Sequence, residues 1–335
     1  MKNFYKLLFI NSMILGTLIS ISSMSWLMIW IGLEINLLSI MPLMKKNNKF
    51  SSESMIKYFI IQAMTSTILL FSIIMVYNLK LFNLNLQMIP SIFMTSALLM
   101  KMGTAPFHFW LPEVSSGLDW KINFIILTWQ KISPMIILTY FPYSLLLISI
   151  SIIMSSLIGG IQGFNQTCLR KILTYSSINH TGWMIATLLN SVTLWLYYFT
   201  IYMMINFNIM IILNKFKIFY MIQLNKLLSY SKKTKFMFML NFLSLGGLPP
   251  FLGFFPKWLT INFLIFNNFL SLTFFLITLT LIPLYFYLRL MFSSLSMNSS
   301  ESLTKTFSKM NYTIFMINSL SLTTLIICLI FIKFI

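Results

Sequence analysis

Acidic side chains are nearly missing. Asp and Glu together number 5 in 335 residues, and with 23 Lys and Arg they bring the charged fraction to only 8%. An average soluble domain carries about 25%. The hydrophobic fraction is 58%, more apolar surface than a water-soluble globule of this length can hide. Intrinsic disorder is excluded too, because it needs few apolar residues. Cysteine is also scarce. Cys168 and Cys328 stand far apart in apolar stretches, form no CxxC motif, and cannot hold an iron–sulfur cluster or a structural zinc. The 2 histidines, His108 and His180, lack a third ligand, which argues against a metal site. No GxGxxG or P-loop is present. The longest loops, about 214–235 and 291–311, are too short for a nucleotide or flavin fold. Redox and ATP chemistry are therefore not expected in this chain. Nor is nucleic acid an expected partner, since the basic residues do not interleave with aromatics on a polar face.

What is present is a succession of apolar runs. About 20 such residues cross the hydrocarbon as a helix. The chain offers eleven candidates, at about 7–23, 25–44, 57–77, 88–109, 122–141, 143–162, 172–190, 192–213, 236–266, 269–290 and 312–333. This predicts an all-α polytopic membrane protein, a single transmembrane domain over 1–335; helices of this length exclude a β-barrel. Lys2 and Lys6 before the first run resemble a signal peptide. No small-residue cleavage site follows, so a retained first helix is expected.

The basic residues test the span count. Threading eleven spans puts eighteen of the 23 Lys and Arg on the side of the N-terminus, two (Lys80 and Lys333) on the other, and three (Lys101, Lys131, Lys257) inside spans. The positive-inside rule makes the N-terminal side cytoplasm-like, cytosol in a bacterium or matrix in a mitochondrion.

Four charges fall within the spans: Glu34, Lys101, Lys131 and Lys257. Each costs about 2.5–3.5 kcal/mol at the centre of a spanning helix on insertion scales. Unpaired, the four would cost on the order of 10 kcal/mol, comparable with the stability of a whole domain. On a structural reading, Glu34 and Lys101 form one buried ion pair while Lys131 and Lys257 snorkel toward an interface. On a functional reading they form a proton relay, because an amine removed from water exchanges its proton more readily. Span four carries Gly103 and Pro106. Span nine, too long for one straight crossing, carries Gly246, Gly247, Pro249 and Pro250. Both are expected to be broken helices, tolerated in a bilayer only where the freed backbone faces protein or water. Two interrupted helices five spans apart fit two inverted five-helix repeats, at about 7–141 and 143–290, with a C-terminal helix at about 312–333. His108 and His180 are either packed polar residues or proton shuttles between lysines. Glu113 and Asp119 fall in the loop after span four and are expected to be solvated.

The segments LEINLLSIMPL, KMGTAPFHFWLPEV, LTWQKISPM, NQTCLRKILTYSSINHTGWM and LSLGGLPPFLGFFPKW resemble the antiporter-like membrane subunits of respiratory complex I (NADH:ubiquinone oxidoreductase), in particular the mitochondrial chain 2 group. The resemblance runs the length of the chain. The Ile-, Met-, Phe-, Asn- and Lys-rich composition resembles an AT-rich mitochondrial gene of an insect, and the lack of a transit peptide agrees with translation inside the organelle. Subunits of this family typically have fourteen helices in two inverted repeats, and animal members of the chain 2 group lack the first three, leaving eleven. The resemblance puts the family's ion-paired glutamate on Glu34, its partner lysine on Lys101, the central lysine on Lys131 and the lysine of the second broken helix on Lys257. His108 and His180 match hydrophilic-axis positions. It implies a proton-translocating subunit of NADH:ubiquinone reductase in the mitochondrial inner membrane, with its N-terminus in the matrix and its C-terminus in the intermembrane space. No cofactor is expected in this chain; FMN, iron–sulfur clusters and ubiquinone belong to other subunits. Expected partners are neighbouring antiporter-like and small hydrophobic chains of the membrane arm, accessory subunits, and lipids such as cardiolipin. A stand-alone cation/proton antiporter and a purely structural membrane-arm subunit are the alternatives.

Overall fold

Serine and threonine are frequent in the apolar runs, and their hydroxyls are hidden by bonding back to the preceding turn. Ser20 donates to the Thr17 carbonyl at 2.8 Å, Thr65 to Gln62 at 2.7 Å, Ser177 to Thr174 at 2.7 Å and Thr260 to Lys257 at 2.7 Å. Each bond gives a polar hydrogen an acceptor within its own helix. Backbone groups are satisfied in the same local way, so helices are the form these sequences adopt in a medium without water.

The computed structural model describes residues 2–46, 48–81, 88–141, 144–227 and 232–295. Its helices are α1 Lys2–Ser22, α2 Trp26–Met44, α3 Lys49–Leu81, α4 Met88–Met102, α5 Trp110–Gly117, α6 Trp120–Leu127, α7 Trp129–Thr139, α8 Leu145–Phe164, α9 Leu169–Leu188, α10 Val192–Phe216, α11 Lys232–Gly246, α12 Phe254–Phe266 and α13 Leu270–Leu295. Among the described residues seven stretches are long and apolar enough to cross a membrane, and Met88–Met102, Met237–Gly246 and Phe254–Phe266 are shorter apolar helices. The protein is thus an all-α, multi-pass membrane protein. The expected span at 312–333 and Cys328 lie outside the described residues.

The chain divides into two units, Met1–Ser155 and Ser156–Ile335. In the first, α1 and α2 meet at backbone distance. A Cβ on Gly16 would lie 2.9 Å from the Asn36 nitrogen, and one on Gly32 would lie 2.7 Å from the Ser20 nitrogen. Small residues at a crossing give helices in lipid their main source of attraction, close van der Waals packing. At one end of this unit, Lys46 pairs with Asp119, and Lys57 bridges Glu53 at 2.8 Å and Glu113 at 3.1 Å. Glu113 and Asp119 keep much of their side-chain surface open, as expected of solvated residues, and also pair α5 and the start of α6 with neighbouring basic residues.

The sequence suggests one continuous helix over 122–141. The structure interrupts it at Thr128 (φ −119°, ψ −74°), between α6 and α7. Thr128 donates its hydroxyl to the Phe124 carbonyl at 2.6 Å, and Pro134 in α7 has no N–H to offer the carbonyl of Gln130. Lys131 thus stands in the first turn of a re-started helix.

In the second unit α9 is enclosed: every residue from Ile172 to Leu188 is buried. This explains how a helix with Ser176, Ser177, Asn179, His180 and Thr181 in sequence is stable; its polar side chains face other helices instead of lipid. Helix α8 lies against it at Gly159, where a Cβ would come 2.8 Å from the Tyr175 carbonyl. The turn after α10 is tied to the start of α9 by backbone bonds from Leu169 to Phe219 (2.8 Å) and from Met221 to Thr167 (3.1 Å).

Candidate functional site

Helix α4 stops at Met102 because Gly103 takes a left-handed conformation, φ +69°. The Gly103 N–H bonds the Met100 carbonyl at 3.1 Å and the Thr104 N–H bonds Leu99 at 3.1 Å. This is the paired pattern with which a glycine closes a helix. Side chains add to this: Trp110 donates its indole N–H to the Met100 carbonyl as well, at 3.1 Å, and Gln62 donates its amide to the Lys101 carbonyl at 3.4 Å. Pro106 lies in the segment before α5, in a cis Ala105–Pro106 bond. Lys101 is consequently the next-to-last residue of a helix that ends inside the unit, and it is 6% exposed.

Lys101 shares a cavity with Lys131. The space open to the centre of a water molecule is about 20 Å³, slightly more than the ~10–15 Å³ that one water requires. Its polar lining includes Asn36, Tyr58, Gln62, Gln130 and Ser133 besides the two lysines. Gln130 donates to the Asn36 side chain at 2.8 Å and accepts from the Tyr58 hydroxyl at 3.4 Å. The buried Ser133 hydroxyl has no protein partner, so it is a place where a water would be held. Two ammonium groups around one small polar cavity repel each other, and a water there can carry a proton between hydrogen-bonding groups.

Glu34 is half-buried on α2 and is not part of this lining. The direct ion pair expected between Glu34 and Lys101 is absent. Lys101 lines the cavity, while Trp30, one turn before Glu34, donates to the Ser66 carbonyl on α3 at 3.2 Å. Glu34 still exerts a Coulombic effect at Lys101. One of its oxygens, Oε1, is buried without a hydrogen-bond partner. His108, 1% exposed, is away from the cavity, with Nδ1 at 3.3 Å from the Pro106 carbonyl and its ring 4.3 Å from that of Phe109.

The second unit repeats the helix stop. Gly247 has φ +81°, and it and Leu248 bond back to the Ser244 and Leu243 carbonyls at 3.1 and 3.4 Å. Gly246 is still helical, and Pro249 and Pro250 lie between α11 and α12. Here the capping side chain is the lysine itself. Lys257, in the first turn of α12, donates to the Gly246 carbonyl at 2.8 Å and to Leu245 at 3.4 Å, with its ammonium 5.9 Å from the centre of the Trp183 ring. A cation at a helix C-terminus meets the negative end of the helix dipole. His180 makes a 2.9 Å hydrogen bond between Nδ1 and the Tyr198 hydroxyl and packs 5.1 Å from the Tyr202 ring. Nearby on α9, Asn179 Oδ1 and Trp183 Nε1 are buried without protein partners.

Sequence reasoning passed over Asn36, Tyr58, Gln62, Gln130 and Tyr198. Neutral polar residues in a span cost less than charges and draw less attention. The signal available was that Asn36 and Gln130 each stand within two residues of a charge already singled out.

Residues 23–283 match the family described as NADH:quinone oxidoreductase/Mrp antiporter, TM. The chain is 48% identical over 308 residues to NADH-ubiquinone oxidoreductase chain 2 of Anopheles gambiae, covering 90% of this chain and 89% of that one. The chain belongs to the NADH-ubiquinone oxidoreductase chain 2 family. Chain 2 of Locusta migratoria is 44% identical, with 92% of this chain and 91% of that one covered. Among solved structures, a chain of respiratory complex I from Thermus thermophilus with bound aureothin superposes with a TM-score of 0.83 at 20% identity, over 96% of this chain and 78% of that chain. The chain 2 fold is therefore shared with a bacterial complex at a sequence distance where few side chains are kept.

Proposed function

We propose that this chain is a proton-translocating membrane subunit of respiratory complex I, coupling NADH oxidation and ubiquinone reduction in other subunits to proton pumping. The observation that carries the reading is the cavity shared by Lys101 and Lys131, in a chain 2 family member. Two buried amines around space for a water form the minimal element of a relay. A change in the field of Glu34 alters the balance between charged and neutral lysine, and the water passes the proton. In this reading Lys257 and His180 serve the corresponding step in the second unit, while His108, buried outside the cavity lining, has no assigned step in the first. Each unit has one helix closed by a left-handed glycine and resumed by a further helix, which supports two repeats.

The chain works as part of a multi-subunit complex in the mitochondrial inner membrane. The eighteen-to-two distribution of Lys and Arg supports a matrix N-terminus and pumping from matrix to intermembrane space. Neighbouring membrane-arm chains and anionic lipids such as cardiolipin are its proposed contacts. FMN, iron–sulfur clusters and ubiquinone are proposed for other subunits. A stand-alone cation/proton antiporter is the second reading, favoured by the Mrp antiporters in the matched family. Native electrophoresis of gently solubilised inner membrane separates the two. Peptides of this chain in a very large band that stains for NADH dehydrogenase support the complex I subunit; a small species without that activity supports the antiporter.

A further inference from the structure

The hydrogen bond between Gln130 and Asn36 joins the helix of Lys131 to the helix of Glu34 without passing through Lys101. Gln130 immediately precedes Lys131, in the first turn of α7, just after the interruption at Thr128. That turn is short of backbone support. The Lys131 N–H bonds the Thr128 carbonyl at 3.1 Å, three residues back where an α-helix uses four, and the Gln130 carbonyl faces a proline four residues on. The Gln130 side chain supplies what the backbone lacks, a 2.8 Å bond to Asn36 on α2. That bond also fixes which way the amide points, since Nε2 is committed to Asn36 and Oε1 therefore faces the Tyr58 hydroxyl. Asn36 stands two residues after Glu34, is 3% exposed and lines the cavity.

We infer that Gln130 is a positioning residue: its hydrogen bond to Asn36 holds Lys131 at the cavity and passes movement of the Glu34 helix to it. A carboxamide neither takes nor gives a proton near neutral pH, so its part is to hold geometry. The inference rests on the relay reading of the Lys101–Lys131 cavity.

The test measures protons pumped per NADH oxidised by the intact complex with Gln130→Leu, Asn36→Leu, Lys131→Met, and the exchanged pair Asn36→Gln with Gln130→Asn. Each leucine variant is expected to lose the same share of pumping as Lys131→Met. Combining Gln130→Leu with Lys131→Met should lose no more, since residues acting as one unit are not additive. The exchanged pair keeps both amides and should restore pumping. If Lys131→Met pumps less but Gln130→Leu pumps fully, or if the exchange leaves pumping as low as Gln130→Leu, this inference is overturned and the cavity reading stands. Full pumping by Lys131→Met overturns the cavity reading and the inference with it. Should the leucine variants not assemble, the exchanged pair decides: assembly with full pumping supports the inference, and failure overturns it.

Discussion

The Lys257 ammonium sits 2.8 Å from the Gly246 carbonyl, so the second half of a broken helix caps the first half. A residue singled out for proton transfer is thereby also the fastener of the break it follows. Lys257→Met removes two charge-assisted bonds from an apolar site and is expected to cost about 2–3 kcal/mol. The measurement is the thermal midpoint of the purified complex, with protease sensitivity at 247–253 as a second probe. An unchanged midpoint with uncut chain would reject the capping role.

The two glycines of that break are not equivalent. Gly247 has φ +81°, and a Cβ there would lie 2.8 Å from the Lys257 side chain; on Gly246 it would find nothing nearer than Tyr287 at 3.6 Å. Gly247→Ala is expected to cost about 1–2 kcal/mol from the left-handed backbone alone. Gly246→Ala should stay within about 0.5 kcal/mol of the unmodified protein. Equal losses in a stability comparison would contradict the assignment.

Tyr198 and Tyr197 are neighbours with opposite surroundings. Tyr198 is 2% exposed and bonded to His180; Tyr197 is 49% exposed. Tyr198→Phe leaves a buried ring nitrogen short of one bond, an expected loss of about 1–3 kcal/mol. Tyr197→Phe is expected to be silent. Thermal denaturation of both variants checks the contrast.

Lys131→Met removes the amine from the cavity and keeps an unbranched side chain one atom shorter. Fewer protons per electron pair are expected, with NADH oxidation by the redox subunits retained when an artificial acceptor replaces quinone. Unchanged pumping would sink the role given to Lys131.

Replacing Gly32 tests the close crossing of α1 and α2. A valine there meets the Ser20 nitrogen and the Gly16 carbonyl, which a Cβ would approach to 2.7 and 2.9 Å, so Gly32→Val should push α1 away from α2. The thermal midpoint of the purified complex should fall in the Gly32→Val variant, and an unchanged midpoint would count against the close crossing.

The amino-acid sequence by itself determined the class of the protein. Apolar run length and charge scarcity are local properties, and a medium without water leaves helices as the form these runs take. Glycine and proline marked spans four and nine as broken, but only the structure shows that Gly103 and Gly247 are the residues that take the left-handed conformation. The four membrane charges were legible because each is costly wherever it lies. Partnership was decided by tertiary structure. Whether Glu34 touches Lys101 depends on how α2 packs against its neighbours, and in the fold the two form no direct ion pair. That Lys101 and Lys131 share one cavity, and that Gln130 and Asn36 bond across it, depends on the approach of helices far apart in the chain. The interruption at Thr128 was hidden because no glycine marks it. A periodicity specifies a face; the neighbour that meets it is chosen by the packing of the whole unit.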